Sequence, residues 1–253
     1  MADKESAAAV IKGVPQARWK SLSEKKIYFG HMSVGNNILE GVRDLAKEYP
    51  FVQLKIVETK SPSSFDQPVF AHSPIGKNQD PKSKIDDFSH LISSGVGEKA
   101  DIAFFKLCYI DILAATDADG VFEQYKIAME TLKKKYPGVT FVHVTAPLRL
   151  VQTGVLVPIK KIIGRPVGGY ADNIKRSRFN ELLRQEYRGK EPMFDLAAVE
   201  STYPDGTRFL FDSGGKKYES LIADYTHDGG HLNEYGRKIV AAQFLAFLAT
   251  LPN

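Results

Sequence analysis

The sequence predicts an α/β fold: a three-layer sandwich with a central, mostly parallel five-stranded sheet and a surface β-hairpin. Three observations lead there. Short apolar or alternating runs take turns along the chain with longer segments of helical period, the signature of βα units. The run 102–107 is almost wholly apolar, as a strand covered on both faces must be. Finally, 253 residues with 43% hydrophobic and 25% charged residues suffice for one full core.

The elements follow in order. Lys25-Lys26-Ile27-Tyr28-Phe29 reads as the first strand, followed by a Gly-bounded turn and a helix to about residue 47. Residues 52–57 alternate and form the second strand, and a loop rich in Ser, Pro and Asp is expected over 60–84. A helix is predicted over 85–93, the third strand over 102–107, and an amphipathic helix over 121–135, stopped by Pro137-Gly138. The fourth strand covers 139–145. The next helix, 173–187, has Phe179, Leu182, Leu183 and Tyr187 on one face, and 193–196 is a short fifth strand. Around Asp212-Ser213-Gly214-Gly215 the chain reads as a hairpin inserted over 207–221, and a helix from 234 to 249 closes the chain. Residues 1–253 are read as a single domain. Its long rim loop, 146–170, has no regular pattern and is expected to shape the substrate site as a lid.

Composition narrows the function. The net charge of +4 is spread along the chain, and the densest cationic run, Lys133-Lys134-Lys135, ends a helix where cations suit the dipole. No nucleic-acid partner is expected. No apolar run is long enough to span a membrane. The start lacks the apolar core of a signal peptide, so the expected location is cytoplasmic as written, or periplasmic or secreted if a leader was removed. Cys108, the one cysteine, ends an apolar strand and is expected to be a buried thiol.

Two motifs at opposite ends of the chain carry the chemistry. In Asp228-Gly229-Gly230-His231 an acid precedes a histidine by three residues, and the glycines allow a tight turn. The turn can fold the Asp228 carboxylate onto one ring nitrogen of His231, leaving the other free to take a proton. The competing reading makes Asp228 the cap of the last helix. Ser33 lies in the strand-to-helix turn Gly30-His31-Met32-Ser33-Val34-Gly35, the layout of an exposed nucleophile beside a helix N-terminus. Here too the competing reading is that Ser33 caps its helix.

The pairing resembles the SGNH (GDSL-type) hydrolase superfamily, which has a nucleophilic serine after the first strand and a C-terminal Asp-x-x-His. Phe29-Gly30-His31-Met32-Ser33 stands where that superfamily has Gly-Asp-Ser, with His31 in place of the acid and the serine one residue late. Asp228-Gly229-Gly230-His231-Leu232-Asn233 matches its last block closely. The resemblance implies a serine esterase with Ser33 as nucleophile, His231 as base and Asp228 as its orienting acid. It implies an oxyanion hole from the backbone of Ser33, from Gly76 and from a side-chain amide. The usual asparagine position holds Ile110, so Asn78 is the expected substitute, with Lys106 and Tyr109 as alternatives. His31, Lys106, Tyr109 and Asp111 are the further candidates for substrate contact. His72, His90 and His143 have no ligand spacing and are read as structural; no metal and no cofactor is expected. The rim loops are rich in side chains able to bond hydroxyls, so short acyl esters, acetyl above all, on a carbohydrate or other small molecule are the expected substrates. An O-acetyltransferase, or a carbohydrate-binding protein on a degraded hydrolase scaffold, are the alternatives.

Overall fold

The computed structural model describes residues 2–252. Its central sheet comprises β1 (Lys26–His31), β2 (Ile56–Glu58), β3 (Val69–Pro74), β4 (Ile102–Phe105), β5 (Thr140–Val144) and β6 (Met193–Phe194). The spatial order is β2-β3-β1-β4-β5-β6 and every pairing is parallel. A separate antiparallel pair, β7 (Leu210–Ser213) and β8 (Lys216–Glu219), is the expected hairpin.

The sheet has one strand more than the five predicted. β3 lies inside the stretch 60–84 that the sequence presents as loop, yet it pairs with β1 along its whole length, from Lys26↔Val69 to His31↔Pro74. Its polar residues disguise it. His72 and Ser73 are buried, and each has a partner on β1: Tyr28 Oη lies 2.7 Å from Ser73 Oγ, and His31 Nε2 lies 3.0 Å from His72 Nδ1. Satisfied in this way, they cost little to bury, although periodicity reads them as solvent-facing.

Period-2 alternation sorts the central strands between two cores. Ile27 and Phe29 of β1 and Ile102 and Phe104 of β4 face one cluster, whereas Tyr28, Ala103 and Phe105 face the other. The first cluster is covered by α1 (Ala2–Gly13), α2 (Gln16–Ser23), α3 (Ser33–Glu48) and α9 (Glu234–Thr250). The second lies under α4 (Pro81–Leu91), α5 (Ala118–Lys135) and α7 (Tyr170–Tyr187). Phe244 of α9 packs on Phe29, Phe104 and Phe194 at centroid distances of 5.3–5.9 Å, joining three strands through one ring. Burying one such side chain is worth about 1.5–3 kcal/mol, so α9 is fixed on the sheet by its own apolar stripe.

Two shorter helices complete the description, α6 (Leu156–Ile162) and α8 (Leu196–Glu200). α6 lies within 146–170, so that stretch is not without regular structure, as the sequence suggested. Because the sheet is parallel, all strand C-termini open on one rim. The crossovers on either side of β1 and β4 cover opposite faces, which makes this the switch point where such sheets bind ligands.

Candidate active site

The serine turn leaves the C-terminal end of β1. Ser33 is the first residue of α3, Met32 is the N-cap, and no side chain caps this helix. The capping role that serine most often takes is therefore not taken here. The N–H groups of a helix's first turn have no carbonyl within the helix to bond, so those of Ser33 and Val34 stand beside the serine as anion donors.

The turn is held from inside. His31 is fully buried, its Nδ1 3.0 Å from the Met32 carbonyl oxygen and its Nε2 3.0 Å from His72 Nδ1. His72 Nε2 in turn lies 3.4 Å from a guanidinium nitrogen of Arg43. With both rings neutral, one proton assignment gives every bond a donor: Arg43 donates to His72, His72 to His31, and His31 Nδ1–H to the Met32 carbonyl. Burial lowers the His31 pKa to about 3, and the cations Lys106 and Arg43 help to lower it. Burial likewise lowers that of His72, followed by Arg43. Gly35 makes room for the relay, since a Cβ there would lie 2.3 Å from His31 Cβ. His31 is thus a support beneath the serine and not a substrate contact, as the sequence had allowed.

The histidine turn is partly exposed and closed chiefly by bonds within itself. Asp228 Oδ1 accepts from the N–H groups of Gly230 and His231, both at 2.8 Å, and Oδ2 lies 2.6 Å from His231 Nδ1. Gly229 adopts φ +79°, which the tight reversal requires. What little burial Asp228 has raises its pKa, but the His231 ring and the two backbone N–H groups outweigh it and hold the carboxylate well below the usual range. Asp228 does not cap α9. Asn233 does, accepting from Gly236 N–H at 2.9 Å.

The two turns meet on one rim. Asn37, one helical turn beyond Ser33, accepts the N–H of Leu232, the residue after His231, at 3.2 Å. Residues at i and i+4 on a helix are neighbours, so this bond sets the serine end of α3 beside the histidine turn. No hydrogen bond joins Ser33 to His231 among the described residues. The free nitrogen, His231 Nε2, faces Tyr109 Oη at 3.4 Å instead.

Three of the candidates for the oxyanion hole or for substrate contact are engaged within the protein. The Gly76 N–H donates to Asp87 Oδ2 at 2.9 Å and is not available to a substrate. A Cβ on Gly76 would lie 2.6 Å from the backbone nitrogen of Lys84, so glycine at φ +53° serves the close approach of α4. Lys106 is buried, with Nζ directed at the Leu107 carbonyl and Cys108 Sγ at 3.4 and 3.6 Å. Asp111 is also buried and committed: it accepts from Gln79 N–H, Cys108 N–H and Lys84 Nζ at 2.6–2.9 Å. It therefore ties the loop after β3 to the loop after β4. Asn78 is exposed, and its Oδ1 accepts from Lys84 Nζ at 3.0 Å, which leaves its amide N–H groups as donors.

Tyr109 is the one further candidate that reaches the rim. Burial raises its pKa above the ordinary phenol value, and its ring packs edge-on to His231 at 5.7 Å. Arg149 lies over that ring at 5.4 Å, and Arg176 Nε donates to the Tyr109 carbonyl at 2.8 Å. Arg149 Nε also donates to Gly229 O at 3.3 Å, so this exposed cation borders the histidine turn. It lines a cleft of about 270 Å³ with Leu150, Gln152, Gly168, Gly169 and Asp172. The sequence did not single out Arg149; its place just after a strand was the one available signal.

The segment bearing Arg149 is clamped by side chains. Asn180 of α7 accepts from the N–H of Ala146 at 2.7 Å and donates to its carbonyl at 3.0 Å. Asn173, two turns earlier, does the same for Arg149 at 3.1 and 2.6 Å. Glu200 accepts from Leu148 N–H at 2.6 Å; full burial raises its pKa to about 8.

No family model matches the chain, and no curated protein matches it. Among solved structures the chain is similar to a protein from Streptococcus pneumonia provisionally assigned as a platelet activating factor. The TM-score is 0.48 and the identity 13%, over 92% of this chain and 90% of that one. It is also similar to the periplasmic domain of a lipopolysaccharide acetyltransferase from Salmonella ser. Paratyphi A, with a TM-score of 0.45, 10% identity, and 86% and 81% of the two chains covered. A provisionally assigned lipase from Chitinophaga pinensis gives a TM-score of 0.45 and 14% identity, over 87% of this chain and 95% of that one.

Proposed function

We propose that the chain is a serine esterase of SGNH type that acts on short acyl esters, acetyl above all, of a carbohydrate or similar hydroxylated compound. Residues 1–253 act as one domain in this reading, and Ser33, His231 and Asp228 form the triad. The observation that carries it is the Asp228–His231 pair. Its 2.6 Å bond engages Nδ1 and leaves Nε2, which faces Tyr109 Oη at 3.4 Å, as the ring nitrogen able to take a proton.

In the reaction His231 Nε2 takes the proton from Ser33 Oγ as that oxygen attacks the ester carbonyl. Asp228, held as a carboxylate, stabilises the imidazolium. The tetrahedral oxyanion takes donors from the first-turn N–H groups of Ser33 and Val34, with the Asn78 amide and Tyr109 Oη as side-chain donors. One such donor is worth about 3 kcal/mol in the transition state. The imidazolium then protonates the departing alcohol, and water or a sugar hydroxyl releases the acyl group. The free ring nitrogen faces Tyr109 before substrate enters, so in this reading it leaves the phenol to take the Ser33 proton. The polar cleft bordered by Arg149, Gln152 and Asp172 suits a hydroxyl-bearing leaving group or acceptor.

A fluorophosphonate probe tests the reading. The expected result is a single adduct on Ser33, located by mass spectrometry, and lost in Ser33→Ala. A folded protein that stays unlabelled would give way to the scaffold-binder alternative. A series of p-nitrophenyl esters then tests the acyl group: turnover should be greatest for acetate, and a maximum at eight carbons or longer contradicts it.

A further inference from the structure

The rim loop presents an apolar surface that the catalytic reading does not use. Gln152 N–H donates to Gly168 O at 2.9 Å and Gly168 N–H to Gln152 Oε1 at 3.3 Å, so residues 153–167 leave the body through a closed neck. On that excursion Val155 and Ile162 are each 85% exposed, and Leu156, Ile159 and Ile163 more than half exposed. Five of the eight exposed large hydrophobic residues among those described thus fall within nine consecutive positions. Val155, Ile159 and Ile162 follow the i, i+4, i+7 spacing of one helix face, while Val157 turns inward and anchors α6.

An apolar cluster this dense marks a surface that something covers. Charge identifies the occupant. From Thr145 to Ala171 the sequence carries Arg149, Lys160, Lys161 and Arg165, and no Asp or Glu. Arg165 is exposed just beyond α6. A short helix with a bare apolar face, set in a purely cationic segment, has the composition of an element that lies in the interfacial plane of an anionic bilayer. No helix among the described residues is long and apolar enough to cross a membrane, so the contact is with its surface.

We infer that residues 153–167 dock onto an anionic lipid surface through Val155, Leu156, Ile159, Ile162 and Ile163. Docked in this way, the loop holds the adjoining rim, with Arg149 and the histidine turn, at the level of the lipid headgroups. The surface stands on its own observations and does not depend on the esterase reading.

Co-sedimentation of the whole protein with vesicles of phosphatidylcholine mixed with phosphatidylglycerol tests it. The wild type should pellet with the mixed vesicles, should bind pure phosphatidylcholine more weakly, and should be released as salt rises. Ile159→Asp/Ile162→Asp should weaken the partition by about tenfold or more with an unchanged melting temperature, since both side chains already stand in solvent. Failure of the wild type to bind the mixed vesicles, or undiminished binding by the double variant, would overturn the inference. A lipid-free wild type that sediments as a dimer, and a double variant that sediments as a monomer, would assign the face to a second copy of the chain instead. None of these readings uses ester turnover, so they stand apart from the test of the triad.

Discussion

The serine turn and the histidine turn meet on one rim but are held in opposite ways. The serine turn rests on a buried relay running from Arg43 through His72 and His31 to the Met32 carbonyl, drawn from one helix and two strands. The histidine turn is held mainly by short-range bonds, with the Asp228 carboxylate accepting from two backbone N–H groups and from Thr226 Oγ1, and the ring partly exposed beside Tyr109. In the first, the atoms that would position the proposed nucleophile are also the ones that hold the fold. In the second the two roles are separate. Substitutions on the two sides should therefore differ in what they change, not only in how much.

The largest effect is expected at the histidine turn. Asp228→Ala should lower kcat on a short-chain ester by about 10³–10⁴, as loss of the orienting acid does in other triads. Its denaturant midpoint should stay close to that of the wild type, because the exposed carboxylate bonds only its own loop. A large loss of stability in this variant would erase the contrast between the turns. His31→Ala should do the reverse. It leaves a cavity and a buried His72 Nδ1 without its partner, at a cost of about 2–4 kcal/mol by urea unfolding, with a smaller fall in kcat. If Tm is unchanged, the relay does not support the turn.

Acidity sharpens the comparison. The folded-state pKa of His31 is lowered to about 3, so the unfolded chain takes up this proton first as pH falls. The relay's stabilisation is fully present above about 6.5, the ordinary histidine value, and is lost as pH falls toward 3. Glu200 runs the other way. With its folded-state pKa raised to about 8, its contribution is full below the ordinary glutamate value and is lost as pH rises through 8. Thermal melts should show stability declining on both flanks, with His31→Phe flattening the acid flank and Glu200→Gln the alkaline one. An unchanged slope in either variant would reassign that flank. The smallest effect is expected for Arg43→Ala, which removes an exposed guanidinium at the outer end of the relay. A change of about 0.5–1 kcal/mol in unfolding free energy is expected.

The same contrast explains what the sequence could reveal. Asp228 and His231 are three residues apart, so their pairing is a local property of a glycine turn and can be read from one line of sequence. The partners of His31 lie at positions 72 and 43, and nothing in its own neighbourhood points to either. The strand that supplies His72 was itself hidden, because its buried polar residues break the pattern by which strands are recognised. The five strands that could be read were the apolar or alternating ones, and 85–93 and 173–187 each lie largely within a helix of the structure. Gly76 and Asn78 were placed by analogy of position. The Gly76 N–H turned out to be spent on Asp87, which only the packing of α4 reveals.

The two asparagines of α7 carry a consequence for the way this molecule can vary. Each bonds both the N–H and the carbonyl of a single rim residue, so together they measure the spacing from Ala146 to Arg149 against two turns of helix. An insertion or deletion between those positions would throw one clamp out of step with the other. Between Gln152 and Gly168, among the described residues, no asparagine or other side chain brackets a backbone N–H and carbonyl in this way, and α6 is tied back by Lys160 Nζ donating to Gln152 Oε1 at 2.7 Å and by the inward Val157. The chain is thus divided into a stretch whose length is dictated and a cassette whose length is free. Grafting a different loop between 152 and 168 would change what the rim meets while leaving Arg149 and the histidine turn in register.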